Sequence, residues 1–294
     1  MLMGANAMVD KHNENDAVIS DGIITNLETI AKRIRVNILE TATKTKRERG
    51  AHIGPSLSCV EVMTALYFYA MKYDPSRPDD IKRDRFICSK THSDLSTYST
   101  LFELGLISKE ELLNCHQDGN DLFGYPRNIK KGLEFEGGSL GMGLAYGVGQ
   151  ALAAKLKYLE YQTYVLLGDG ELNEGAVWEA FMAGAHYKLA NLTAIIDRNL
   201  LCLDGDTEQV MAIEPLADKL VSFGWHAISC DGHNFRELLS ALSSLSSEKP
   251  TAIIAKTIKG KGVSFIENRR EWHQTKINAD QYEKAVSEIE RVIV

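Results

Sequence analysis

The sequence predicts an α/β fold, a doubly wound and mainly parallel sheet flanked by helices. Short apolar runs at 164–167, 193–196 and 252–255 alternate with segments of helical period, the pattern of parallel strands joined by crossover helices. The stretch 164–199 shows it most compactly. An apolar run stops at Gly168-Asp169-Gly170, a helical segment covers 175–188, and a second apolar run leads into Asp197-Arg198-Asn199. No repeat, low-complexity linker or shift in composition divides the chain, so 21–294 is expected to form one domain, with 1–20 as a mobile leader.

Residues 22–47 carry Ile23, Leu27, Ile30, Ile34 and Ile38 at helical intervals, and basic residues crowd the end, where they suit the helix dipole. Gly50-Ala51-His52-Ile53-Gly54-Pro55 breaks that helix, and 58–71 resumes as a second, apolar one. Residues 85–88 form a short buried strand; Ser89-Lys90-Thr91-His92 is the turn at its end, with Thr91 or Ser93 capping the helix behind. Residues 112–133 are polar and irregular. Gly137-Gly138-Ser139-Leu140-Gly141-Met142-Gly143 opens a long helix to about 159. No strand precedes these glycines and their spacing is wrong for a dinucleotide loop. Past the central stretch come helices over 214–222 and 234–245, strands at 225–229 and 252–255, and a closing helix over 280–294. Lys259-Gly260-Lys261-Gly262, after the last strand, lacks the spacing of a Walker loop.

With 294 residues, 44% of them hydrophobic, the chain can bury a substantial core. Its net charge of −7 argues against nucleic-acid or anionic-membrane binding. No apolar stretch approaches a membrane span, and the first residues lack a secretory signal's apolar segment. The cysteines are odd in number and form no Cys-x-x-Cys pair, so free thiols in a reducing cytoplasm are expected.

Ligands of an open α/β sheet gather at the carboxyl ends of its strands. Asp169 and Asn199 fall there, on neighbouring strands, and paired oxygen ligands suit a hard cation such as Mg²⁺, which completes its shell with phosphates and water. Gly168 and Gly170 let backbone amides approach phosphate closely. A bare Gly-Asp-Gly is as readily a plain turn. An Asn just past the next strand, 30 residues after Asp169, weighs against that. His52 and His92, each alone in a turn, are more often solvated or structural than functional.

Gly-Asp-Gly followed at this interval by Asn resembles the signature of thiamine diphosphate enzymes, and Glu171-Leu172-Asn173-Glu174-Gly175 narrows the resemblance to transketolases. It extends from about residue 30 to the end, with further matches at 50–54, 138–143 and 257–262. It implies a thiamine diphosphate-binding fold of the diphosphate-binding type, with thiamine diphosphate as cofactor and Mg²⁺ (or Ca²⁺ or Mn²⁺) held by Asp169, Asn199 and the carbonyl of Leu201. It further implies cofactor contacts from His92, Gly138, Leu140, Gly168, Asp169, Gly170, Glu171, Asn199 and His273. His52, His92 and His273 would orient the sugar and shuttle protons, helped by pKa values near neutrality. Glu174 would lie between paired active sites. Four positions depart from the family: Tyr125 stands for a His that faces cofactor and substrate, Thr91 for a Gly, Met142 for a Gln, and Gln274 for a Gly. A phenol keeps a donor and acceptor but titrates far above neutrality.

The implied activity is two-carbon ketol transfer from a ketose to an aldose. The chain corresponds to the amino-terminal part of a transketolase. The glutamate that activates the cofactor's aminopyrimidine belongs to the pyrimidine-binding domain, so a C-terminal partner subunit is expected, in an α2β2 heterotetramer. Two alternatives stay open: a subunit of a thiamine-dependent decarboxylase or 2-oxo acid dehydrogenase, which the three histidines disfavour, and a non-catalytic thiamine diphosphate-binding regulatory subunit.

Overall fold

A computed structural model describes residues 19–123 and 133–291. Five parallel strands, β1 (Arg85–Cys88), β2 (Thr163–Gly168), β3 (Leu192–Arg198), β4 (His226–Asp231) and β5 (Thr251–Lys256), form one sheet in the order β1-β2-β3-β5-β4. The register pairs Gly168 with Asp197, so the ends of β2 and β3 are level and Asp169 and Asn199 emerge side by side.

Side chains alternate between two cores because successive residues of a strand point to opposite faces. Tyr164, Leu166, Ile195, Ile253 and Ala255 join one core; Val165, Leu167, Ala194, Ile196, Ala252 and Ile254 join the other. Helices α1 (Asp21–Lys44), α2 (Ile53–Ser58), α3 (Val60–Ala65), α4 (Asp94–Glu103), α5 (Lys109–Leu113), α10 (Phe235–Ser243) and α11 (Ala279–Arg291) lie on the first core. Helices α6 (Met142–Leu156), α7 (Gly175–His186) and α9 (Leu216–Ser222) cover the second, and the single turn α8 (Thr207–Val210) follows β3. The chain leaves β1 for the first face and β2 for the second. It leaves β3 for the second face and β5 for the first, where Val263, Ile266 and Trp272 are buried. Such reversals open crevices at the strand ends, and both crevices belong to the site described below.

The elements match the sequence expectation closely, with one instructive difference. The segment expected as one helix over 58–71 holds α3 and a π-turn at Leu66–Ala70, and α2 already begins at Ile53, inside the expected break. The two helices part at Cys59 (φ −106°, ψ 14°). Within α2 the Pro55 carbonyl and the Ser58 hydroxyl both accept from the Lys90 ammonium (2.7 and 2.9 Å). Of the leader expected over 1–20, residues 1–18 lie outside the described residues.

Close packing of α6 on β2 depends on Gly147, where a Cβ would come within 2.6 Å of Val165 Cγ2, whereas a Cβ at Gly149 would meet nothing within 4 Å. Two substitutions one half-turn apart should therefore act oppositely. Gly147→Ala is expected to lower unfolding free energy by about 1–3 kcal/mol through overpacking. Gly149→Ala is expected to raise it by up to about 1 kcal/mol through helix propensity. Urea denaturation of each variant measures both.

Candidate active site

A cavity of about 370 Å³ opens at the carboxyl ends of β1, β2, β3 and β5. Among its walls are His52, His92 and His273, Gly138 and Leu140, Gly168, Asp169, Gly170 and Glu171, and Asn199 and Leu201. These come from six separate segments, so the fold has brought together nearly the whole set expected from sequence. A larger and more open recess of about 470 Å³, at the ends of β4 and β5, contains none of them.

Asp169 is 2% exposed and opens the turn that carries Gly170 through Asn173. Its Oδ1 accepts from Gly170 N–H (2.8 Å); its Oδ2 accepts from Leu200 N–H (2.6 Å) and from Arg198 (3.2 Å). Leu200 adopts a left-handed backbone (φ 67°), which is costly for a branched residue and bends the chain so that Asn199 and Leu201 flank the same carboxylate. Asn199 Oδ1 accepts from Leu201 N–H (3.1 Å). The donor set on this wall is a carboxylate, an amide oxygen and a main-chain carbonyl, all hard oxygens, and it fits Mg²⁺, Ca²⁺ or Mn²⁺. A Cβ at Gly170 would come within 3.0 Å of Cys202 Cβ, so the bare backbone here keeps the turn close to the 199–202 segment.

The three histidines form one cluster. His92 and His273 stack with ring centroids 5.2 Å apart, and His52 meets them edge-on at 6.0 and 5.6 Å. Burial pushes all three pKa values down, with Lys90 adding to the effect on His92 and Lys259 to that on His273, which falls to about 3. The near-neutral titration expected from sequence is thereby corrected: the pKa values lie below that of a free imidazole, because burial and, for His92 and His273, nearby ammonium groups disfavour the imidazolium. Lys259 Nζ lies 2.9 Å from His273 Nδ1 and 2.9 Å from the Leu201 carbonyl. An ammonium donor at Nδ1 places the ring proton on Nε2. Burial, then Lys90, lowers the Lys259 pKa to about 8. The Thr91 hydroxyl, also on the cavity wall, is buried and has no hydrogen-bond partner among the described residues.

Under the floor of the cavity lies a pair that the sequence does not announce. Lys90 and Asp197 are 1% and 0% exposed and form a direct ion pair. Asp197 also accepts from Ser58 (2.6 Å) and Thr257 hydroxyls. Burial opposes both charges, but their attraction prevails, so the carboxyl sits below and the ammonium above its usual range. Lys90, Asp197 and Lys259 all stand inside the motifs named above, yet nothing in the sequence pairs residues 107 positions apart. Arg198 is the other residue whose role sequence reasoning missed: it donates to Asp169, Thr207 (2.7 Å), Glu208 (2.6 Å) and Glu214 (3.0 Å), tying α8 and the entry of α9 to the turn.

Glu174 precedes α7, is exposed, and does not line the cavity; Met142 is likewise exposed at the start of α6. Glu171 borders the cavity, but protein donors occupy both of its oxygens. Tyr125 lies outside the described residues. Among those described, no helix is long and apolar enough to cross a membrane.

Removing one member of a buried ion pair strands the other's charge. Lys90→Met is expected to cost about 3–5 kcal/mol in urea denaturation. Lys90→Met with Asp197→Asn should lose less than the sum of the two single losses, the signature of direct coupling.

The thiamine diphosphate binding domain of transketolase matches residues 27–289. The chain is 43% identical over 265 residues to an apulose-4-phosphate transketolase subunit of Phocaeicola vulgatus, covering 90% of this chain and 93% of that one. It is 39% identical over 243 residues to a 6-deoxy-6-sulfo-D-fructose transketolase subunit of Clostridium sp., covering 82% and 88%. The solved transketolase from Leishmania mexicana superposes with a TM-score of 0.82 at 28% identity, over 90% of this chain and 41% of that one.

Proposed function

The chain belongs to the transketolase family, and we propose that it is the thiamine diphosphate-binding subunit of a two-chain transketolase, a transferase moving a two-carbon ketol unit from a ketose to an aldose. The observation that carries the proposal is the single cavity joining His52, His92 and His273 to the Asp169–Asn199–Leu201 oxygens and the Gly138–Leu140 segment. The split arrangement is supported by two relatives named as transketolase subunits, of which the chain covers 93% and 88%. The whole unit from 21 to 294 is read as the diphosphate-binding domain.

Thiamine diphosphate, when bound, supplies the carbon nucleophile and electron sink of ketol transfer. The chain's own residues hold and surround it. Asp169, Asn199 and the Leu201 carbonyl would bind a divalent cation, Mg²⁺ by preference. The Gly170 N–H and the Lys259 ammonium would face the diphosphate. Gly138 and Leu140 would flank the aminopyrimidine. The neutral imidazoles of His52, His92 and His273 would bond sugar hydroxyls, with His273 offering Nε2–H because Lys259 occupies Nδ1. Glu174, exposed beside Gly141, suits an assembly contact more than a cavity role. Tyr125 adapts the site to a ketose other than the common pentose phosphates; the two relatives are named for different sugars, one phosphorylated and one sulfonated.

A C-terminal subunit with the pyrimidine-binding domain would complete the site, in an α2β2 heterotetramer. Exposed Leu203 and Val210 at the cavity rim, with Leu200 and Met211 beside them, suit the partner; Met142, Tyr146 and Met182 on α6 and α7 suit a second copy of this chain. All the cysteines are free, which fits a reducing cytoplasm.

The purified chain alone should show no ketol transfer, and adding the partner chain should restore it; robust turnover by the single chain would refute the two-chain reading. In the assembled complex, Asp169→Ala removes the one formal charge among the cation ligands. Calorimetric affinity for thiamine diphosphate with Mg²⁺ should fall at least about tenfold, or about 1.4 kcal/mol. Unchanged affinity would reject the ligand assignment.

A further inference from the structure

Glu171 is buried beside the cavity, 2% exposed, yet its oxygens face the protein. Oε1 accepts from the Ser89 hydroxyl and from Gly141 N–H (2.8 Å); Oε2 accepts from Gly168 N–H (3.0 Å). The Ser89 oxygen in turn accepts from Gly143 N–H (3.1 Å). These donors come from three segments. One leaves β1 and continues to His92, one ends β2 and continues to Asp169 and Gly170, and one leads into α6 and carries Gly138 and Leu140. All three border the cavity. A second seam joins the first and third: a Cβ at Gly137 would lie 2.2 Å from Thr91 Cγ2, so the Thr91 methyl fills the space a side chain at 137 would need.

We infer that Glu171 is a positioning residue: with Ser89 it sets the spacing of the three loops that hold the cofactor, and makes no bond to the cofactor itself. The inference rests on the reading of this cavity as a thiamine diphosphate site. A carboxylate is suited to the task because it is acceptor-only, with enough lone pairs for three donors. Glutamine has the same size but one acceptor oxygen. In one orientation its amide faces the Gly168 N–H, and in the other the Gly141 N–H, so one backbone donor loses its acceptor either way. The loops relieve that by shifting apart, and cofactor contacts on opposite walls lose their mutual spacing.

The test is Glu171→Gln in the complex with the partner chain, titrated with thiamine diphosphate and Mg²⁺ by calorimetry and assayed at saturating cofactor. The dissociation constant should rise at least about tenfold while kcat at saturation stays within about threefold, since the reacting groups are unchanged. Gly137→Ala, which displaces the same loop from the other seam, should weaken binding in the same direction. Leu220→Ala, buried under the opposite part of the second core, reports what instability alone does to binding. A dissociation constant for Glu171→Gln within about twofold of the parent overturns the inference, as does equal weakening by a Leu220→Ala variant of matched melting temperature. Absence of binding by the parent complex overturns the cofactor reading, and this inference with it.

Discussion

The buried Lys90–Asp197 ion pair is the contact on which the site depends. It joins the exit of β1 to the end of β3, and through Pro55 and Ser58 it anchors α2, while Thr257 brings in the end of β5. Desolvating two charges is expensive, and a pair of apolar residues would hold the sheet as well. What the pair adds is direction. An ammonium with acceptors on the 53–58 segment and on β3 fixes where His52 and His92, at either side of it, present their rings.

Charge is distributed around the cavity by the same burial. The floor is an ion pair that cancels itself. The cation wall is a carboxylate shared with Arg198, whose remaining donors go to Thr207, Glu208 and Glu214. The wall opposite carries uncharged imidazoles and one ammonium, Lys259. A diphosphate there would bring anionic charge to face a divalent cation and Lys259. The histidines, whose pKa values are held down by burial and neighbouring ammonium groups, would bond sugar hydroxyls as uncharged rings.

Much of this is legible in the sequence, for physical reasons that also mark where reading stops. Strand periodicity and a short crossover helix are enough to put Asp169 beside Asn199, because parallel neighbours with one intervening helix leave little freedom of register. Gly143 and Gly147 prove to be close-approach positions, where a Cβ would come within 2.4 Å of Ser89 and 2.6 Å of Val165, whereas Gly149 faces open space. The histidine cluster follows from the resemblance to transketolases alone; no spacing within the chain joins residues 52, 92 and 273. Lys90, Asp197, Glu171 and Lys259 take their roles from tertiary partners, and a lysine or glutamate inside a motif looks the same on paper whether it will be solvated, paired or clamped. The histidine titration departs from expectation for a related reason: burial and neighbouring ammonium groups set it, and neither is a property of the local sequence.

The most direct measurement is the crystal structure of this chain with its partner, grown with thiamine diphosphate and Mn²⁺, with anomalous scattering used to locate the metal. The account predicts a single strong peak within bonding distance of Asp169, Asn199 and the Leu201 carbonyl, with the diphosphate beside the Gly170 amide and Lys259. A metal bound elsewhere, or a cofactor seated without contact to this cavity, would contradict it.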